Sequence, residues 1–533
     1  MKEQSTGKGF AILSAATMAA KLLSIIYMPF LLKIIGGNRP YAIYQVTYLI
    51  YAFIYVITNT GIPSAISKLV SEFVAVENYR SAIKTFKISR FLLFAIGIIM
   101  SIVMFLSAGS LTASIHYPEA KYSVIALCPA ILFTSVASAY RGYFQGRSNM
   151  KPTAISQVLE QVFNTVFSLL FAAILIGRGI EAGVVGATVG TTLGALASAL
   201  YLIITYEKNK HFKSGILHNN KRHTNKQVLR RIIKYSIPIT VCIAITNAGT
   251  LIDSYNITSR LIAGGALTDY AQSIYGMYGK YLTLINMPIT IISALAMAVL
   301  PAVSKAVALK NKKLVNDKIN FAFRINFLIA VPAAVGLSVL SRPIYELLQI
   351  GDGYRIMIFG SIVVIFMALA LIQTSILQGM GRIYIVTFYS ILGLIAKYVV
   401  NYILVAIPKI GIYGAIIGSA IGFGVPIILN IIYIQKILKL KINFKSYIFK
   451  PIVSSIFMAA VTYVIYNILS YILHFIVKGY LNNAVSLLAA VAMGVLAYLY
   501  AMILCKGITK DELDIIPGRI KRFIPKRIIS NIR

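Results

Sequence analysis

Apolar runs of twenty residues and more recur from one end of this chain to the other, and the segments between them collect most of its charge. Coiled as a helix, a run of that length matches the roughly 30 Å hydrocarbon thickness of a bilayer. In lipid each segment must satisfy its own backbone polar groups, so such runs span as helices. Of 533 residues, 58% are hydrophobic and only 12% charged, more apolar surface than one water-soluble core could enclose. The expected fold is all-α and polytopic. Fourteen spans are predicted, with cores near 9–35, 41–67, 88–108, 122–142, 153–177, 183–206, 235–260, 281–304, 320–341, 356–380, 384–407, 412–435, 447–474 and 482–505. The first begins near Phe10 and is too long for a signal-peptide core, with no small-residue cleavage site behind it, so it reads as a span.

The basic residues set the direction. With the amino terminus in the cytoplasm, 39 of the 51 Lys and Arg fall in or beside inner segments and 10 in or beside outer ones. Lys21 and Lys397 remain inside spans. A multi-pass protein of the cell membrane with both termini cytoplasmic is therefore expected. The net charge of +36 follows from this topology, and nucleic acid is not an expected partner. Tyr must supply the interfacial aromatic belt, because Trp is absent. Cys128, Cys242 and Cys505 lie in or beside apolar segments and read as small buried hydrophobes, without disulfide or metal spacing. The five His pair with no carboxylate cluster, and no phosphate-binding glycine motif occurs, so neither a catalytic centre nor ATP-driven transport is expected.

Motifs recur in order at an offset of about 230 residues. Gly183-Val-Val-Gly186-Ala-Thr-Val-Gly190 is echoed by Gly411-Ile-Tyr-Gly414-Ala-Ile-Ile-Gly418. Tyr143-Phe-Gln145-Gly146-Arg147 is echoed by Ile376-Leu-Gln378-Gly379-Met380, and Ile62-Pro63-Ser-Ala-Ile-Ser67-Lys68 by Leu300-Pro301-Ala-Val-Ser304-Lys305. Two parallel six-helix halves are the build of alternating-access transporters. The expected division is an N-lobe at 1–210, a basic cytoplasmic linker at 211–234, a C-lobe at 235–440, two helices without repeat partners at 441–506, and a basic cytoplasmic tail at 507–533 that suits the inner leaflet.

Ionisable groups inside spans cost about 2.5–3.5 kcal/mol on insertion scales and persist where they face a cavity or a partner. Lys21 sits midway along the first span, on one face with Ser14, Thr17 and Ser24; a cavity wall and a structural salt bridge are both open. The seventh carries Asp253, a candidate cation or proton site or a structural group, and Arg260, either cavity-facing or snorkelling. The two lie roughly 10 Å apart along the axis, too far for a direct pair. The fifth span has Gln157, Glu160, Gln161, Asn164 and Ser168 as a stripe that lines a cavity or braces helices. The eighth opens with Lys280 and continues Thr283, Asn286 and Thr290, and the eleventh carries Lys397 with Ser390 and Asn401. If these faces converge, the basic groups outnumber the acidic ones, and the cavity suits an oxygen-rich anion such as a diphosphate.

Tyr140-Arg-Gly-Tyr-Phe-Gln-Gly-Arg147, the following Met150-Lys-Pro-Thr-Ala-Ile-Ser-Gln-Val-Leu-Glu-Gln161, and Gly61-Ile-Pro-Ser-Ala-Ile-Ser-Lys-Leu-Val-Ser-Glu72 resemble the stage V sporulation protein B group. That group belongs to the multidrug/oligosaccharidyl-lipid/polysaccharide exporter superfamily and is related to MurJ-type lipid II flippases. The resemblance covers the whole layout. It implies a V-shaped bundle of two lobes and an undecaprenyl-diphosphate-linked cell-wall precursor, foremost lipid II, as cargo. The last two helices would form a groove for the polyprenyl tail. It also implies head-group binding by Lys21 and Lys280, with Arg260 and Lys397 as further candidates. Asp253 and Glu160 are candidates for coupling to Na+ or H+, the membrane potential being the other drive. Ser14, Thr17, Asn164 and Asn286 would line the cavity. Tyr27 stands where a second basic residue of the first helix would be expected. No cofactor is expected; membrane lipids and the cell-wall synthesis machinery are the expected partners. A flippase for another lipid-linked polysaccharide and a cation-coupled drug exporter of the same superfamily remain as alternatives.

Overall fold

The computed structural model describes residues 6–208, 224–309, 311–438, 444–475, 479–505 and 507. Every regular element among them is helical: α1 (Thr6–Ile35), α2 (Asn38–Asn59), α3 (Gly61–Ala75), α4 (Tyr79–Ser114), α5 (Lys121–Gly146), α6 (Lys151–Leu175), α7 (Ile180–Lys208), α8 (Asn225–Ala263), α9 (Thr268–Ala308), α10 (Lys312–Val339), α11 (Ser341–Leu347), α12 (Tyr354–Gly360), α13 (Val363–Gly379), α14 (Ile383–Leu404), α15 (Tyr413–Leu438), α16 (Phe444–His474) and α17 (Tyr480–Leu504). The 211–223 part of the linker and the tail from 508 onward lie outside the described residues.

All fourteen apolar segments coincide with helices, so the all-α polytopic expectation holds. Among the described residues eleven helices are long and apolar enough to cross a bilayer, or twelve if the bent pair α12–α13 is one span. Those numbers include α2 and α3 as one span and leave out α8 and α9, which are helices of 39 and 41 residues. Helix starts follow local chemistry. The Asn78 side chain accepts from the Ser81 amide at 3.1 Å, and Asn311 accepts from the Leu314 amide at 3.0 Å. Thr224 and Gln227 form a reciprocal capping box.

The chain divides into two compact units, Met1–Gly279 and Lys280–Arg533. The first therefore takes in α8 and the start of α9 together with the helices of the first sequence half. In it α1 packs on α6, α6 and α5 on α7, α4 on α5, and α8 on α2 and α3. Its core gathers Phe86, Tyr140, Tyr143 and Tyr206, with the Phe86 ring centroid 4.7 Å from that of Tyr143 and 4.9 Å from that of Tyr206. In the second unit α10 packs on α13 and α16, α14 on α15, and α16 on α17. The last helix, α17, is tied to α10 and α11: the Tyr498 hydroxyl donates to the Leu328 carbonyl at 2.9 Å, and the Asn483 amide to that of Pro343 at 3.1 Å.

The repeated motifs turn out to be packing surfaces. In the first unit Gly146 lies against the Ser67 carbonyl and Val70, so the Gln-Gly motif of α5 meets the Pro-Ser motif of α3. In the second, Gly379 of α13 lies against the Leu300 carbonyl and Val303 of α9. The glycine motifs do the same for neighbouring pairs. Gly186 and Gly190 of α7 press on Phe171 and Ser168 of α6, while Gly414, Gly418 and Gly422 of α15 press on Leu404, Asn401 and Lys397 of α14. Lipid tails are as apolar as leucine, so hydrophobicity cannot hold two spans together; close approach of backbones across small residues can.

Candidate functional site

The intramembrane polar groups fall into separate clusters within each unit. On α1, Lys21 is exposed, and Thr17, one turn away, donates to the Leu13 carbonyl at 2.9 Å and to Gln157 Oε1 of α6 at 3.3 Å. The Ser14 side chain lies outside the described residues. Tyr27 is buried. On α6, Asn164 Oδ1 accepts from Ser168 at 2.9 Å and from Thr191 of α7 at 3.0 Å, so its carbonyl braces two helices.

Glu160 meets a basic partner from the neighbouring helix. α5 runs to Gly146, which keeps Arg141 buried inside it. Its guanidinium pairs with Glu160 at 2.6 Å and donates to Ser156 at 3.0 Å and to Ser198 at 2.8 Å, clamping α5, α6 and α7. A lone acid in a span was the available signal that a base must be near.

Asp253 on α8 is 1% exposed and accepts from the Tyr278 hydroxyl of α9 at 3.2 Å. Ser254, Asn256 and Thr258 are buried beside it, and Thr258 meets the Tyr117 hydroxyl at 3.2 Å. Arg260, two turns further, is half-buried. Close to the α8–α9 turn stands a second cluster that sequence reading did not find. Arg39 at the start of α2 pairs with Glu119 at 3.0 Å and Asp269 at 3.3 Å, and donates to Gln272 at 2.9 Å. Its members come from three segments far apart in the sequence, so no local pattern brings them together.

In the second unit Lys280 is 2% exposed. Its ammonium donates to the Ile350 carbonyl, with the Asp352 carboxylate close by. The segment that supplies both carries positive φ at Gln349, Gly351 and Gly353, a left-handed path that lets it fold over the lysine. One residue on, the Tyr281 ring fills the space beside Gly360 and its hydroxyl takes the Gly360 carbonyl at 2.9 Å. The bend of 50° between α12 and α13 falls at that point, where a side chain enters the backbone ladder. Asn286 is exposed and bonds within its own helix to the Leu282 carbonyl at 2.8 Å. Lys397 is buried on α14, its Cβ against Gly422 of α15, one turn from Asn401, which meets Gly418.

Within the first unit the α1–α6–α7 group (Lys21, Thr17, Glu160, Asn164) is distinct from the α8–α9 group around Asp253. Within the second, Lys280 is covered by the 349–353 segment and Lys397 by α15. No cluster of three or more metal-ligating side chains occurs among the described residues.

Helical spans, a duplicated packing code and ionisable groups inside the spans define a polytopic membrane protein of transporter build. Residues 6–307 match the family described as polysaccharide biosynthesis protein, and the chain belongs to that family. It is 26% identical over 531 residues to stage V sporulation protein B of Bacillus subtilis (strain 168), covering 98% of this chain and 99% of that protein. It is 26% identical to the lipid II flippase MurJ of the same organism, covering 92% of this chain and 94% of the relative. A solved structure of lipid II flippase MurJ in an inward closed conformation superposes with a TM-score of 0.68 at 15% identity, over 93% of this chain and 98% of the other, which establishes the shared fold.

Proposed function

We propose that this chain is a flippase that moves an undecaprenyl-diphosphate-linked cell-wall precursor, foremost lipid II, from the inner to the outer leaflet of the cell membrane by alternating access. The observation that carries the reading is a lysine ammonium, Lys280, buried inside the long helix α9 of a chain similar over nine tenths of its length to a lipid II flippase. A buried ammonium costs several kcal/mol and persists where an anion or a polar partner repays it. In the proposed cycle Lys21 and Lys280 hold the diphosphate, and Arg260 and Lys397 add positive charge along its path. Release of the 349–353 segment exposes Lys280 to the head group. Asp253 and Glu160 are the candidates for ion coupling. Glu160 then has to part from Arg141, and Asp253 has to exchange its tyrosine partner for a cation or proton. Helices α16 and α17 guide the polyprenyl tail, and both termini are cytoplasmic.

The test is complementation of a bacterium depleted of its lipid II flippase, with outer-leaflet lipid II as the readout. The wild-type chain should restore surface lipid II. Lys21→Glu should abolish it while the protein still inserts at the wild-type level. Normal surface lipid II with Lys21→Glu would remove the proposed role of that residue. Failure of the wild-type chain, alongside accumulation of a different lipid-linked glycan in its own host on depletion, would move the cargo to that glycan. The family's description, polysaccharide biosynthesis protein, is the observation that favours this second reading.

A further inference from the structure

A cleft between α4, α5 and α7 has no part in the cycle above. It measures about 490 Å³ and is walled by Phe94, Leu132, Phe133, Val136, Leu200 and Ile203. Lys87, Arg90 and Tyr140 also line it. The two cations stand three residues apart in the amino-terminal part of α4, on one helix face. Arg90 is held in place: its guanidinium donates to the Tyr140 hydroxyl at 3.3 Å and lies 5.8 Å from the Phe86 ring. Lys87 and Arg90 are both exposed, and neither forms an ion pair among the described residues. The apolar part is open as well, with Phe94 and Leu200 exposed on its walls.

A membrane helix that presents apolar walls faces acyl chains, and two cations beside an apolar slot complement an amphiphile with a negative head. The positive-inside distribution assigns the amino-terminal end of α4 to the cytoplasmic side. We propose that this cleft binds an anionic phospholipid of the inner leaflet. One acyl chain lies along Phe94, Phe133 and Leu200, and the phosphodiester sits between Lys87 and Arg90. The site shares no residue with the proposed cargo path, so it stands or falls separately from the flippase reading.

The experiment counts lipid bound to the purified full chain by native mass spectrometry, in detergent titrated with dioleoyl phosphatidylglycerol or dioleoyl phosphatidylcholine. Phosphatidylglycerol should be retained at one molecule per chain at concentrations where phosphatidylcholine is not. Lys87→Gln should weaken retention about fivefold, the equivalent of roughly 1 kcal/mol for one basic residue at a lipid surface. Leu200→Trp, which fills the slot from an exposed position, should weaken it further. Lys226→Gln removes the same charge from an exposed site on α8 and should change nothing. Equal retention of the two lipids overturns the proposal. So does an equal loss with Lys226→Gln, which would mean diffuse attraction, or displacement by millimolar inorganic phosphate, which would mean an anion site without a lipid. Lys87 is at the surface, so its variant folds and decides the matter even if Leu200→Trp does not.

Discussion

Adding a single methyl group to the repeated glycines should separate packing from propensity. At Gly186 a Cβ would stand 2.5 Å from the Phe171 carbonyl carbon and 2.8 Å from the Ala172 nitrogen. At Gly414, its echo, it would stand 2.8 Å from the Leu404 carbonyl carbon and 2.8 Å from the Val405 nitrogen. Comfortable contact begins near 3.4 Å, so each methyl is short of room by roughly 0.6–0.9 Å against backbone that no rotamer change can move. The helices must part, and overpacking of this kind costs about 1–3 kcal/mol. Against it stands a gain of up to about 1 kcal/mol, because alanine loses less backbone entropy in a helix than glycine. Gly186→Ala and Gly414→Ala should therefore each lose up to about 2 kcal/mol net. Gly424, on the same helix as Gly414, has nothing within 4 Å of its would-be Cβ, so Gly424→Ala should be neutral or gain. Reversible unfolding of the purified chain in mixed micelles, followed by circular dichroism against added denaturing detergent, reads the difference. If all three variants unfold together, the glycines are not what holds α6 to α7 and α14 to α15.

Arg141→Met should cost about 2 kcal/mol in the same assay. It strands the Glu160 carboxylate, and because that group is 26% exposed the loss falls below the roughly 3–5 kcal/mol of a fully buried broken pair. Adding Glu160→Gln should recover about half, and no recovery would mean that the two side chains are not coupled. At the Arg39 cluster, Glu119→Gln should cost up to about 1 kcal/mol, since that carboxylate is 21% exposed, whereas Asp269→Asn, at 72%, should fall within about 0.3 kcal/mol and vanish in 0.5 M salt. The reverse order in thermal denaturation would refute the assignment. Lys280→Gln keeps a donor for the Ile350 carbonyl without the charge, so it should fold like wild type yet lower surface lipid II at least tenfold on complementation. Wild-type surface lipid II in that variant would make Lys280 a structural residue.

Much of the architecture could be read in advance because its causes are local. Each of the fourteen apolar segments is helical, and Asn78, Thr224 and Asn311 cap helices through side chains three residues from their partners. Helix interruptions were harder. The segment 41–67 is broken at Thr60, ahead of Gly61, whose open face admits the Ser236 carbonyl and the Thr240 hydroxyl of α8. The segment 356–380 is bent where Tyr281 meets Gly360. In both places a residue distant in sequence presses on the helix, and no window of local pattern contains it.

The polar groups divide the same way. Hydropathy alone singles out Lys21, Glu160, Asp253, Lys280 and Lys397 as charges the hydrocarbon should not hold without a cavity or a partner, because an ion within a span is costly wherever it lies in the sequence. The recurring motifs reveal the duplication, since equivalent packing in two halves requires the same small residues in the same order. What each charge touches was decided in three dimensions: Arg141 for Glu160, Tyr278 for Asp253, and a main-chain carbonyl seventy positions away for Lys280. Electrostatic partners are chosen by distance through space, and the chain sets that distance only once its helices have packed.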